Sequence, residues 1–232
     1  MAVGLVLALC AFGGYWGARE SSAFAIRTID VRGVSPAVAV DVRAALEPLV
    51  GTSLIVLRPQ DVNRLVLALP EIASVRYDRA FPNALVLRVE AERPVAVARS
   101  GTEGWLVSTN GRVLERVPRG AHRRLARLWL PADVDVRVGS TLAAGGGAAE
   151  VAALLPVAGA GLAGRVTTVR VARGRVTYKL RNGVELRAGR LANLRLKLAI
   201  SARILEQNAV REYLDVSVPA RPVGILDPQL SG

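Results

Sequence analysis

The pattern of apolar and polar positions over residues 24–93 predicts the order strand, helix, helix, strand, strand. Apolar residues recur every three or four positions after Ser35-Pro36 and again after Pro59, as they do on the buried face of an amphipathic helix. Residues 84–92 instead alternate between apolar and polar side chains, which is typical of a strand with one covered face. The pattern therefore predicts a small α+β domain.

Residues 94–232 have the pattern of a second, strand-rich domain. It includes an alanine-rich helix that begins at residue 148, and we expect Pro156 to end that helix. Leucine and alanine at three- and four-residue spacing over residues 191–205 predict a longer helix laid on the strands before it.

The last strong pattern is a strand over residues 212–218, followed by Pro219 and Pro222. Proline has no backbone N–H to donate to a strand ladder, so the two prolines place this segment at a sheet edge or a strand end. An edge strand carries unpaired backbone groups that another chain can use. The sequence therefore predicts a C-terminal edge strand.

Residues 1–18 contain no charged side chain and predict a transmembrane anchor. At ~1.5 Å of rise per residue such a helix spans ~27 Å, close to the hydrocarbon thickness of a bilayer. Tyr15 and Trp16 fall at its end, where aromatic side chains settle at the headgroup level. The alternative is a cleavable signal peptide, because residues 23–25 resemble a small-x-small cleavage pattern.

The formal net charge of +12 favours anionic partners, since summed surface charge steers encounter. Among the 31 lysines and arginines only Lys179 and Lys197 are lysines. The arginines are scattered along the chain and the aromatic residues form no cluster for stacking on bases, so we expect no nucleic-acid partner.

The residues that carry most catalytic and metal chemistry are scarce. Cys10 is the one cysteine and His122 the one histidine, which excludes a two-histidine metal site and leaves little basis for a Ser-His or Cys-His nucleophile. No carboxylate is paired with a second group at a recognisable spacing. We therefore expect no cofactor, no metal and no enzymatic activity. The carboxylates considered were Asp61, Asp78, Asp133 and Asp135.

The first domain carries a set of turn and core motifs that resembles the POTRA domain of the FtsQ/DivIB family. They are Gly-Thr-Ser-Leu at 51–54, Leu-Pro-Glu-Ile-Ala-Ser-Val at 69–75, Phe-Pro-Asn at 81–83 and Glu-Arg-Pro-Val-Ala at 92–96. The stretch from the second domain's strands to Leu-Asp-Val-Ser-Val-Pro resembles the β domain of the same family more loosely. The resemblance implies an α+β protein with an anchor at 1–18, a POTRA domain at 24–93 and a β domain at 94–232.

The resemblance also implies a function in cell division. Proteins of this family are anchored by one span in the cytoplasmic membrane, N-terminus in, with both domains outside at the division septum. They hold an FtsB/FtsL subcomplex, contact FtsW/FtsI-like proteins and help coordinate septal peptidoglycan synthesis without being enzymes. The alternative is a POTRA-containing protein of envelope assembly or transport.

Under this resemblance a partner segment adds as a strand to the edge at residues 213–218, a mode known as β-augmentation. The other interpretation is that these residues only complete the sheet, since edge strands are usually blunted. The candidate partner-binding residues are Tyr213, Asp215, Val216, Val218, Pro219 and Val223.

Overall fold

The computed structural model describes residues 22–207 and 210–226. The chain divides into two compact units, Met1–Ala91 and Glu92–Gly232. Within the described residues, no helix has both the length and the apolar composition that crossing a membrane requires. The predicted anchor over residues 1–18 lies outside the described residues.

The first unit contains a three-stranded sheet of β1 (Thr28–Arg32), β2 (Ile72–Ala80) and β3 (Ala84–Ala91). The spatial order is β1-β3-β2, with β1 parallel and β2 antiparallel to the central strand. Leu85 and Leu87 of the central strand are fully buried beneath the helices. This arrangement places both helices between β1 and β2 in the sequence, as the apolar pattern predicts.

Two helices cover the sheet of the first unit, α1 (Pro36–Leu46) and α2 (Pro59–Val66). Ser35 caps α1, because its hydroxyl accepts a hydrogen bond from the Val38 backbone N–H at 3.5 Å. Proline occupies the first turn of each helix, where its missing N–H costs nothing. The predicted order of strand, helix, helix, strand, strand is confirmed.

The second unit is built on one nine-stranded sheet with the spatial order β12-β11-β10-β9-β8-β7-β4-β5-β6. The pairs β4–β7, β7–β8 and β10–β11 are parallel and the other neighbours are antiparallel. The strands are β4 (Pro94–Ser100), β5 (Glu103–Ser108), β6 (Val113–Arg116), β7 (Ala126–Trp129), β8 (Val166–Ala172), β9 (Arg175–Leu180), β10 (Glu185–Arg190), β11 (Val210–Asp215) and β12 (Val223–Leu226).

Two helices pack on one face of this sheet, α3 (Ala148–Gly159) against β4, β7 and β8, and α4 (Leu194–Gln207) against β10. The main apolar core lies between the helices and the strands. Leu198 of α4 is fully buried there, in agreement with the predicted helix on the strands. Short 3₁₀ turns complete the described helical structure, at Ser22–Phe24, Glu47–Leu49 and Leu142–Gly145.

The opposite face of the sheet carries a second, smaller apolar cluster. Val97, Leu106 and Leu114 of β4, β5 and β6 are buried there. Residues 117–125, which connect β6 to β7, fold back over them and contribute Val117, with Ala121 and Leu125 packed against the cluster. The segment 117–125 therefore rises above the sheet at one end, and the two described helices of this unit lie on the other face.

The prediction that Pro156 ends its helix is wrong, because α3 continues to Gly159. A proline in a helix removes one backbone donor, but its own carbonyl still accepts. The Pro156 carbonyl accepts a hydrogen bond from the Ala160 N–H at 2.8 Å. The apolar face of α3, with Leu154 and Val157 buried on the sheet, outweighs that one lost bond.

Candidate partner-binding surface

The outermost strand at one end of the nine-stranded sheet is β12, which pairs antiparallel with β11. Its partner β11 also pairs, in parallel, with β10, so β11 is an inner strand. The prediction that residues 212–218 form the edge is therefore wrong in position. The chain turns back after β11, where the Arg221 N–H donates to the Val218 carbonyl at 3.0 Å, and residues 223–226 return along it.

The parallel pair of β10 and β11 requires a crossover, and α4 supplies it. The strand-helix-strand unit lays the end of β11 beside β10, with Asp215 opposite Arg187 and Tyr213 opposite Glu185. The prolines that suggested a strand end, Pro219 and Pro222, instead flank the turn into β12.

Four of the six predicted binding residues line one open cavity of about 540 Å³. Its walls come from β10, β11, the turn and β12. Two further arginines, Arg187 and Arg221, lie in this lining and were not predicted. The predicted residues present are Tyr213, Asp215, Val218 and Val223, and Ser217 completes the set.

Arg187 is held in place from two sides. Its guanidinium lies over the Tyr213 ring, 4.6 Å from the ring centroid, which is a cation–π contact. Its Nε donates to a Glu185 carboxylate oxygen at 2.6 Å, and this hydrogen bond raises the pKa of Arg187. The arginine is exposed and remains charged at any physiological pH.

Asp215 closes the end of β11. One of its carboxylate oxygens accepts a hydrogen bond from the Ser217 backbone N–H at 2.8 Å, which fixes the start of the turn. The carboxylate also acts electrostatically on Arg187 and on Lys197. Asp215 is therefore placed to stabilise the turn and to neutralise part of the surrounding positive charge.

A second cavity of about 350 Å³ adjoins the first and shares Ser217 and Val218 with it. Pro219, the fifth predicted residue, lines this second cavity. Basic side chains dominate the rest of its polar lining, with Arg175, Arg190 and Lys197.

Lys197 of α4 is almost fully buried beneath this cavity. Its Nζ donates to the Arg190 carbonyl at 2.8 Å. Burial lowers the pKa of Lys197, and the Asp215 carboxylate partly opposes that shift. A buried ammonium with spare donors under an open cavity favours an anionic group in the cavity.

Val216, the sixth predicted residue, is fully buried in the main core. Its N–H donates to the Arg187 carbonyl at 2.9 Å and extends the pairing with β10 by one residue. The Val216 side chain therefore faces the core between the helices and the sheet. The alternation of side chains between the two faces continues beyond the end of β11 and places it there.

Gly189 allows the turn to lie close to β10. It has a φ of +65°, and a Cβ placed on it would lie 2.7 Å from the Ser217 Cβ. The pairing of β10 with β9 shifts register between Arg187 and Gly189, which marks a bulge. Only glycine combines this backbone conformation with such a close neighbour.

The basic lining was missed because it comes from strands that precede the terminal stretch. Arg175, Arg187 and Arg190 are remote from residues 212–218 in the sequence and come close only through sheet pairing. Alternation along the strands could have placed Arg187 with Glu185 on one face. Within the part of the chain that the structure describes, no group of histidine, cysteine, aspartate and glutamate could hold a metal ion.

Two family models match the chain. The model for the POTRA domain, FtsQ-type, matches residues 24–92, and the model for cell division protein FtsQ/DivIB, C-terminal, matches residues 96–218. No curated protein matches the chain. A solved structure, the major extracytoplasmic domain of the trans isomer of the cell division protein DivIB from Geobacillus stearothermophilus, is 19% identical and covers 48% of this chain and 86% of its own, with a TM-score of 0.32.

Proposed function

Because this chain belongs to the FtsQ/DivIB family of cell division proteins, we propose that it is a scaffold of the division apparatus that binds its partners at β12. The partners are FtsB/FtsL-like membrane proteins, with FtsW/FtsI-like proteins as further contacts. Through them the protein helps coordinate septal peptidoglycan synthesis. Its role in that process is to hold other proteins and not to catalyse a reaction.

The outermost position of β12 supports this proposal most directly. A strand with one unpaired side offers backbone N–H and C=O groups to an incoming strand, and those bonds supply affinity. Val223 and Ile225, on alternate positions of β12, are exposed and give the incoming strand apolar contacts. Tyr213, Asp215, Val218 and Pro219 then contact its side chains from the two cavities.

The charges of the two cavities favour a partner segment that carries carboxylates. Arg187 and Arg221 line one cavity, and Arg175, Arg190 and Lys197 line the other, against Asp215 in the lining and the Glu185 carboxylate that is paired with Arg187. Electrostatic complementarity of this kind fixes register and raises the association rate. The partner strand therefore presents acidic side chains on the side that faces the turn at residues 218–221.

We also propose that residues 1–18 anchor the chain in the cytoplasmic membrane, with the N-terminus inside and both units outside at the division septum. The uncharged, apolar composition of that stretch supports the anchor. The family relationship supports the septal location.

Conditional depletion of the protein in its native host tests this function. We expect cells to elongate without dividing while their chromosomes continue to segregate, as imaging of cell length and septa records. Continued division, together with loss of envelope proteins or envelope integrity, would assign the chain to the alternative class of POTRA-containing assembly or transport proteins.

A further inference from the structure

A tryptophan flanked by two arginines lies on the open face of the nine-stranded sheet, opposite the helices. Trp129 of β7 is 41% exposed. The register places it directly beside Arg99 of β4 on one side and Arg170 of β8 on the other. Residues directly opposite in a sheet point to the same face, so the three side chains form one row.

Arg99 is placed to bind an anion. It is 8% exposed, yet its side chain makes no hydrogen bond or ion pair with any residue in the described ranges. Its guanidinium nitrogens are not among the fully buried polar atoms, so they reach solvent and an anion can bind them. Its stem and one terminal nitrogen lie against Gly104, where a Cβ would be 2.5 Å from that nitrogen.

A further arginine, Arg127, adds positive charge beside Arg99, and its own hydrogen bonds go to other residues. Arg127 lies on β7 two residues before Trp129, and its guanidinium donates to the Ala121 carbonyl at 2.8 Å and to the His122 carbonyl at 3.1 Å. Burial lowers the pKa of Arg127, and the nearby charge of Arg99 lowers it further. Arg127 therefore fixes the segment 117–125, while Arg99 remains without a partner.

The shape of this face favours an extended peptide as the ligand rather than a flat membrane surface. The segment 117–125 packs over β4, β5 and β6 and rises beside Arg99, so the row lies next to a wall. A flat bilayer cannot reach a recessed guanidinium in that position. The backbones of Arg99 and Arg170 are two strand spacings apart, ~10 Å, and the Arg99 guanidinium lies a further spacing away, over Gly104 of β5. Carboxylates on residues i and i+4 of an extended chain, ~13 Å apart at the backbone, reach both with their side chains, and residue i+2 faces Trp129 between them.

We propose that the row Arg99, Trp129 and Arg170 is a second docking site, for an extended acidic segment of a partner protein. Carboxylates of the segment bind the two guanidinium groups, each of which donates a pair of hydrogen bonds to one carboxylate. An apolar side chain between the carboxylates packs on the Trp129 ring. Exposed aromatic and arginine residues are the types that dominate binding energy at protein interfaces.

This site is separate from β12. Five strand spacings, ~24 Å, lie between β7 and β12 in the sheet order. A partner that reaches both sites, or two partners that each use one, are both compatible with this distance. The observations that support this second site do not depend on the proposed function, and each proposal can fail without the other.

The test uses the full chain and a short fluorescein-labelled peptide of glutamates with a central leucine, titrated by fluorescence anisotropy. We expect Arg170→Glu and Trp129→Ala each to weaken binding by about tenfold or more. Both side chains are exposed, so the fold is retained. The matched control is Arg195→Glu, the same charge change on an exposed position of α4, and it leaves the affinity unchanged.

Three outcomes overturn the proposal. The first is equal peptide affinity of the two variants and the wild type, and the second is equal binding of a peptide with glutamine in place of glutamate. The third is binding of phosphatidylglycerol vesicles, and not of the peptide, through Arg170 and Trp129. Val223→Glu separates this site from the β12 edge, because that variant keeps peptide binding if the peptide lies on the row.

Discussion

At the scale of single residues, Tyr178 joins the sheet of the second unit to a helix. Its side chain is fully buried on β9, and its hydroxyl donates to the Ala153 carbonyl of α3 at 2.9 Å. Burial raises the pKa of the Tyr178 phenol well above its usual value, because the phenolate cannot be solvated there. One buried hydroxyl therefore joins α3 to the sheet and stays protonated in the folded chain.

Replacement of Tyr178 by phenylalanine removes this hydrogen bond, so the Ala153 carbonyl loses one donor. We expect Tyr178→Phe to lower the free energy of unfolding near pH 7 by ~1–2 kcal/mol. In the wild type, the unfolded tyrosine ionises above pH ~10 while the folded one stays neutral, so stability falls as pH rises. The phenylalanine variant lacks this loss.

Urea unfolding of both proteins at pH 8 and pH 11 measures the difference between them. The gap in unfolding free energy narrows at the higher pH, because only the wild type loses the contribution of Tyr178. A gap that is the same at both values would mean that the phenol ionises equally in the folded and unfolded chains.

At the scale of elements, the bulge at Gly189 decides how closely the turn after β11 can pack on β10. A methyl group at Gly189 meets the Ser217 Cβ at 2.7 Å, and the backbone there has a φ of +65°. We expect Gly189→Ala to lower the free energy of unfolding by ~2–4 kcal/mol, because backbone strain and steric overlap add together. The displaced turn also carries Val218, so partner binding at β12 weakens with it.

Gly174 provides the matched control. It has nearly the same backbone conformation, with a φ of +70°, but no atom lies within 4 Å of the position that its Cβ would take. Gly174→Ala therefore reports the cost of backbone strain alone, ~1–2 kcal/mol. Equal losses for the two variants in denaturant unfolding would show that the close approach to Ser217 does not contribute.

The edge strand β12 can be tested in the same way. We expect Val223→Glu to weaken binding of the proposed FtsB-like partner by about tenfold, because it removes an apolar contact and would repel the proposed acidic segment. Val223 is 56% exposed, and Leu196 of α4 is 54% exposed on the other side of the sheet, so Leu196→Glu is the control. Calorimetry measures both affinities. An unchanged affinity for Val223→Glu would contradict the assignment of the edge.

At the scale of the whole molecule, local patterns predicted which segments form helices and strands better than they predicted which strands lie next to one another. The alternation in residues 84–92 and the helical spacing after Ser35 and Pro59 are decided within a few residues, and they yielded β3, α1 and α2. The order of the nine strands is decided by pairings between distant segments. The sequence pattern near residues 212–218 therefore indicated a strand but not that β12 would cover it.

The candidate partner-binding surface could be predicted in part for the same reason. Tyr213, Val218 and Val223 share a local stretch, and they do line one cavity. Arg187 and Lys197 reach that neighbourhood through the crossover of α4, which no short pattern encodes. Val216 was misplaced because burial on a particular face depends on which strand lies alongside.

The place of β12 in the chain also sets a sequence of events during synthesis. A ribosome makes every other described strand of the sheet before residue 223, so a chain whose synthesis stops before β12 has β11 as its outer strand. A chain that is cut or stalled earlier lacks Val223, and lacks Arg221 as well if it ends before residue 221, and with them one wall of the cavity. A partner that requires β12 thereby selects molecules whose sheet is already finished.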